Sequence, residues 1–428
     1  MSTIAYNCPC CGAPLTFSGA SGRLECASCG NTYETEAIEA MNPAMPDEGP
    51  GFDLPKETFG EAEAAQMSAY LCEACGAELM TEDATTATEC PYCGSPAVLP
   101  DRIEGGVKPE KVIPFTVTKE QAQKLFEEYF KGKRLLPNVF LESRNRIAEM
   151  RRLYVPYWLF DCEADANIVY DAEKEHTRRE GEWEITRTEH YIVRRKGGMA
   201  FDCIPVDGSE KLDNKITESL EPYDLKAAVP FSPSVLAGAM ADHADVNAIE
   251  CEGRAMERVE NSISQAMRDT VTGYTRVTER STNISTQGGK VTPVLMPVWL
   301  ITTEKEGTVY TFAINGQTGK LTCDVPADKK KSLVWGGGVF AGAFGLGTLA
   351  LWLLNQLGSG TLLIAAAIAA IIALAVVGSL TAQLKQAVHR NAAADYIREG
   401  SFNLDVSYDR YLYETTKKRK IETGKQNK

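Results

Sequence analysis

The 428-residue sequence predicts a multidomain chain: two small four-cysteine ribbons, a central α+β domain and an α-helical transmembrane hairpin. Three observations predict it: a cysteine pattern that occurs twice near the N-terminus, mixed strand and helix periodicities through the middle, and a long charge-free run towards the C-terminus. In chain order this gives a first ribbon over 1–40, an acidic Pro/Gly-rich linker over 41–68, a second ribbon over 69–104 and the α+β domain over 105–328. The hairpin follows over 332–382, and a tail with a basic end occupies 383–428.

Cys8, Cys11, Cys26 and Cys29 recur 64 residues later as Cys72, Cys75, Cys90 and Cys93, and in each copy 14 residues separate two C-x-x-C pairs. Cysteines three apart on a tight turn place two sulfurs on one side of a metal, so each copy predicts a four-thiolate site with Zn²⁺ as its natural occupant. A glycine follows each knuckle, at Gly12, Gly30, Gly76 and Gly94, where the turn calls for positive φ. Four thiolates close the coordination sphere, which makes the two zincs structural and leaves no position for a catalytic water. Paired disulfides are the alternative, and they require an oxidising compartment. Cys10, inside the first knuckle, reads as a spare thiol.

Charge is unevenly distributed. Residues 1–104 hold 17 acidic residues against Arg23, Lys56 and Arg102, which accounts for the net −13 of the whole chain. Each zinc–tetrathiolate centre adds about two further negative charges. Phosphate recognition relies on Lys and Arg, so this composition disfavours nucleic acid as the ribbons' partner and favours protein contact or a structural role. The linker carries Pro43, Pro46, Pro50 and Pro55 and few bulky apolar groups, which predicts ribbons that move relative to each other.

From Val112 the pattern becomes globular. Ala122, Leu125, Phe126, Tyr129 and Phe130 fall on one stripe of a helix over 120–131, and Met256, Val259, Ile263 and Met267 mark a second over about 247–272. These stripes read as core faces. Strands are expected at Tyr154–Phe160 and Leu295–Ile301, which share the tetrapeptide P-x-W-L, and at Val309–Ile314 before an Asn315-Gly316 turn.

The chain shows no catalytic constellation and is expected not to be an enzyme. Its four histidines form no H-E-x-x-H, and no serine sits in G-x-S-x-G. Gly316-Gln-Thr-Gly319-Lys320 lacks the spacing of a phosphate loop. Asp242-His243-Ala244-Asp245 reads as a solvated polar stretch, and Cys162, Cys203, Cys251 and Cys323 as inert single thiols.

Residues 332–384 carry no charge over 53 positions. One helix of that length would run about 80 Å, against a hydrocarbon core of about 30 Å, so the segment must fold back. Leu333–Leu354 and Leu362–Leu380 are the two spans, with Asn355–Gly360 as the turn, and Gly338, Gly342, Ala365 and Ala369 supply close-packing small residues. Lys329, Lys330, Lys331, Lys385 and Arg390 flank the pair, while the turn is uncharged. Positive flanks place both termini in the cytoplasm, on the inner side of the plasma membrane. Met1–Asn7 has neither the basic start nor the apolar core of a signal peptide. Phe402–Tyr413 alternates and could add a strand, and Lys417–Lys420 with Lys425 and Lys428 form a basic end that suits either anionic lipid or solvent.

Together, the paired ribbons, YVPYWLF at Tyr154–Phe160, MPVWL at Met296–Leu300, the YTFAINGQTGK hairpin and the membrane segment resemble a family of bacterial TFIIB-type zinc-ribbon-containing membrane proteins of unknown function. That resemblance implies partners such as SPFH-domain or phage-shock-protein-A-like membrane-stress assemblies. The expectation is a membrane-anchored cytoplasmic scaffold that holds a protein partner through its ribbons. A membrane-tethered nucleic-acid-binding or transcription-linked ribbon protein is the rival reading.

Overall fold

Apolar residues at every second position of Cys162–Ala172, with polar ones between except at Val169, drive the longest elements of the molecule. The computed structural model describes every residue except 1–6, 19–20, 42–50, 65, 83–88, 96–97, 102–106, 139, 141–149, 306–307, 324, 355–357, 385–386 and 421–428. Residues 42–50 and 65 of the predicted linker, residues 355–357 of the hairpin turn, Lys385, Lys425 and Lys428 thus lie outside the described residues.

Strands β1 (Thr16–Ser18), β2 (Arg23–Glu25) and β3 (Thr32–Tyr33) with helix α1 (Thr35–Ala40) build the first ribbon. After α2 (Glu61–Ala64), the second contributes β4 (Met67–Cys72), β5 (Glu78–Glu82) and β6 (Val98–Asp101). Then come β7 (Lys111–Val112), α3 (Lys119–Phe130), β8 (Arg151–Glu180), β9 (Trp183–Asp207) and α4 (Asn214–Leu220). Next are β10 (Val229–Pro230), β11 (Met240–Asp242), α5 (Ala248–Asp269), β12 (Arg276–Lys305), β13 (Thr308–Asn315) and β14 (Leu321–Cys323). Helices α6 (Lys329–Leu353) and α7 (Ser359–Ala382) and strand β15 (Asn403–Lys420) end the chain.

These elements form the expected multidomain layout of two four-cysteine clusters, a central sheet-rich domain and two C-terminal apolar helices. The two P-x-W-L segments pair antiparallel, Leu295 opposite Pro156, and both tryptophans bury their rings and donate the indole N–H to a backbone carbonyl, Val246 for Trp158 and Val117 for Trp299. The strands run far beyond the predicted seven residues. β8 is 30 residues long and pairs with β9 on one edge and β12 on the other; β9 in turn pairs with β15. The result is an antiparallel arm in the order β12-β8-β9-β15. Helix α5 lays Cys251, Ala255, Val259, Ile263 and Met267, one per turn, against Ile168, Tyr170 and Val193 on one face of the arm.

At its base the sheet widens, because β11 pairs with β8 and also with β5 of the second ribbon. This corrects the expectation of independently mobile ribbons. Cys72, Cys90 and Tyr92 share one apolar core with Leu153, Val155 and Tyr157, so the second ribbon is part of the central sheet. The first ribbon packs Tyr33, Ile38 and Met41 on Val169 and Ile192, on the face of the arm opposite α5. Acidic composition suggested an open linker, but the apolar faces at each end of it find a common sheet.

Helices α6 and α7 are long and apolar enough to cross a membrane. Their roots are held to the body: Leu384, Val377 and Leu380 join the core of α3, and Asp328 caps α6 while its own N–H donates to Leu135 O. Lys331 Nζ donates to Leu136 O, Lys133 Nζ to Gln383 O, and the Arg134 guanidinium lies 4.7 Å from the Trp335 ring centre. The tail likewise is not a free appendage. Arg258 of α5 makes a buried ion pair at 2.6 Å with Glu221, which also accepts from Tyr396, and Ser262 accepts from the Ala393 N–H. β15 then pairs along β9 to its end, Lys420 opposite Trp183. Lys417–Lys420 therefore stand at the arm tip, up to about 90 Å of strand contour from Arg151 at the base where the helix pair is rooted.

Candidate metal centres and their supports

Each knuckle is a tight turn in which the fifth residue's amide returns to the first cysteine. Gly12 N–H donates to Cys8 O at 2.8 Å, and the same bond recurs at Gly30, Gly76 and Gly94. All four glycines have φ between 69° and 76°, the left-handed region that a Cβ would strain. This geometry points two sulfurs inward from each knuckle, and the strands between knuckles bring the two pairs face to face.

Four sulfurs about 2.3 Å from one Zn²⁺ stand about 3.8 Å apart in a tetrahedron. In the first cluster Cys8 Sγ is 3.6 Å from Cys29 Sγ and Cys11 Sγ is 3.5 Å from Cys26 Sγ. In the second, Cys72 lies 3.7 Å from Cys93 and Cys75 lies 3.6 Å from Cys90. All four sulfur atoms in each set fall within 4.8 Å of one another. The structure thus brings together all eight predicted ligands in two sets that fit a tetrahedral metal. Cys10 is exposed and belongs to neither set.

The two centres differ in their surroundings. In the first, Cys8 and Cys26 are buried while Cys11 and Cys29 face solvent; in the second, Cys72 and Cys90 are buried and the other two half-buried. Burial opposes ionisation of Cys8, yet hydrogen bonds from the Tyr33 hydroxyl and the Cys11 and Cys10 amides prevail and bring its thiol down to about 6. Burial pushes the Cys75 thiol up to about 11 and Cys90 further in the same direction. A divalent cation would reverse that penalty, because it stabilises the thiolates directly.

Support for the second centre comes from a residue that the sequence reading placed in solvent. Asp242 is buried at the end of β11, where one carboxylate oxygen accepts from the Tyr92 hydroxyl at 2.5 Å and from Ser209, while the other has no partner among the described residues. Tyr92 lies between Cys90 and Cys93, so the carboxyl links the metal knuckle to the sheet. Lys211 Nζ adds a bond to Cys75 O at 3.3 Å. Nothing local distinguishes Asp242 from the exposed acids around it. Its burial follows from the register of β11, which sets Ala241 opposite Met80 and Asp242 opposite Leu79 of β5.

Cys162, Cys251 and Cys323 are buried and Cys203 half-buried, and none joins a metal cluster among the described residues. The Asn315-Gly316 turn closes on itself: Asn315 Oδ1 accepts from the Gln317 and Thr318 amides, and its Nδ2 donates to Leu220 O. On the first ribbon, Phe17 is 62% exposed in β1, an apolar ring that the sequence reading passed over.

The chain is 34% identical over 341 residues to an uncharacterized protein, YdjG, of Bacillus subtilis (strain 168), an alignment that covers 80% of this chain and 95% of the relative. No family model matches the chain, and no solved structure matches it.

Proposed function

The chain belongs to the family of the uncharacterized Bacillus subtilis protein YdjG, and on that footing we propose that it is a non-catalytic, membrane-anchored cytoplasmic adaptor with two structural zincs. Helices α6 and α7 hold it in the plasma membrane with both termini inside. The second ribbon works as part of the sheet, and the first is the contact head for a protein partner, with SPFH-domain or phage-shock-protein-A-like assemblies as the partner class.

One observation carries this division of labour. The two centres share a ligand set, yet Cys72 and Cys90 are sealed into the central core, whereas the first ribbon presents an exposed ring and two exposed ligands on the outside of the arm. An exposed aromatic on a small rigid ribbon is the kind of residue that anchors a protein interface. The acidic surroundings favour a protein over a nucleic acid as the occupant.

The test is Phe17→Asp in the full chain, purified from membranes with its partners. It should keep about two zincs per chain and its place in the membrane fraction while losing the partner recovered with the wild-type chain. Unchanged recovery would remove the first ribbon from partner binding, and steeply salt-dependent retention of nucleic acid by the wild-type chain would favour the rival reading.

A further inference from the structure

We propose that copies of this chain assemble side by side in the membrane, the β15 edge of one pairing with the β12 edge of the next to continue the arm as one antiparallel sheet. The argument begins with two edges that have no strand beside them. β12 is covered on its outer side by β13 over 298–305, by β7 at 294–295 and by a bridge from Asp53 at Lys290. Beyond these, Arg276–Gln287 has no strand partner on that side among the described residues. On the far side of the arm, β15 pairs with β9 alone. A long open edge is a template for another strand, because its outward N–H and C=O groups are unpaired.

Topology selects the occupant. The arm has four antiparallel strands, so its two edges run in opposite directions. When two copies share one orientation, β15 of the first and β12 of the second meet antiparallel. Both copies share that orientation if α6 and α7 anchor them in one membrane, the single point at which this inference rests on the function proposed above. Antiparallel pairing of β15 with itself would instead turn the second copy upside down and carry its helix pair to the opposite end of the arm. Hence the opposite edge of a second copy is the partner that fits.

Two apolar rows cross the arm from edge to edge. Across the sheet, Tyr411 stands in one row with Tyr191, Ala172 and Val277, and Leu404 in one row with Gly197, Ala166 and Ile284. At the same height, a neighbour's Val277 would meet Tyr411 and its Ile284 would meet Leu404. These are an aromatic to β-branched pair and an aliphatic pair, the kinds that stabilise adjacent strands. Tyr411 is 53% exposed with no strand outside it. The same register sets Asp409 in one row with Val193, Tyr170 and Glu279, so a like-charge pair that opposes the contact stands between the two apolar ones.

Single-residue bulges at Arg280, Asp405 and Leu412 interrupt both edges and keep each continuous ladder short. A short edge pair buries less than a stable soluble dimer needs. Confinement to one membrane supplies the missing concentration, as tethering does for any weak contact. The pairing therefore belongs to the membrane-bound chain.

A photo-crosslinking amino acid placed at position 411 of the full chain tests this in native membranes. Irradiation should give a ladder of multimers whose adducts map to residues 276–284 of a second copy. Introducing Val277→Lys with Ile284→Lys should cut the adduct about tenfold, the effect of roughly one unit of log affinity, while zinc content and membrane fraction stay at wild-type levels. Adducts from 411 to β15 of a second copy, adducts only to other proteins, or no adduct from a membrane-bound, zinc-loaded chain would each overturn the pairing. A chain absent from the membrane fraction that still forms the 411 to 276–284 adduct would support the pairing and reject the anchor; absent from the membrane and without the adduct, it would reject both.

Discussion

Asp242 shows how one residue ties a metal knuckle to a sheet. Burial pushes its carboxyl up to about 7, with the hydrogen bonds from Ser209 and Tyr92 acting against that rise. Its folded value is therefore above its unfolded one, so the stability it contributes is fully present below about 4 and is lost as pH rises through 7. Asp242→Asn cannot lose a proton in that window. Its unfolding free energy, set against wild type, should be more favourable at pH 8 than at pH 6 by about 1 kcal/mol. An equal difference at the two pH values would show that Asp242 does not titrate there. At this scale the sequence was legible where chemistry is local: the spacing of eight cysteines identified both ligand sets. It was silent on Asp242 and Phe17, because burial of the one and exposure of the other depend on strands far away in sequence.

The elements divide in the same way. Helices α3 and α5 were legible from their apolar stripes, since a helix face must be apolar to pack wherever it docks. Strands β8 and β12 were seen only at their most apolar ends, and β9 was missed. Their outer halves read HTRRE at 176–180 and TERSTN at 278–283, which are polar on both faces and become strand through cross-strand pairing alone. Gly197 on β9 faces the start of β15, and a Cβ there would collide with the Asn403 carbonyl. Gly197→Val should therefore loosen the start of β15. Faster amide exchange over 403–408, with β12 still protected over 291–300, is the expected signature, and unchanged exchange in β15 would mean that the edge can yield without cost.

For the whole molecule, the proposed orientation follows from the lysines at the root of α6 and the uncharged connection at the far end of the pair. A cysteine in place of Ser359 should react with an impermeant thiol reagent added outside intact cells, above the background of the native thiols. Labelling only after the inner face is opened would reverse the topology. With that orientation, the base of the sheet lies at the inner membrane surface and the arm leads away from it, carrying the first ribbon on one face and α5 on the other. Tyr396, on the segment returning from α7, donates to Glu221, the buried partner of Arg258 on α5, so the helix pair and the arm are joined by a hydrogen bond to a buried ion pair as well as by the chain.

What the sequence determined by itself were the features set by local spacing and by solvent: two four-cysteine sites, a charge-free pair of spans, amphipathic helices and a charge balance that disfavours nucleic acid. Tertiary structure alone decided that the second ribbon is built into the central sheet, that the C-terminal tail completes the arm and that Lys417–Lys420 pair with the start of β9. The physical reason is that these outcomes rest on backbone pairing between segments up to about 240 residues apart, such as β9 with β15. Strand pairing of this kind uses hydrogen bonds that every residue carries, and so leaves little trace in the identity of any one of them.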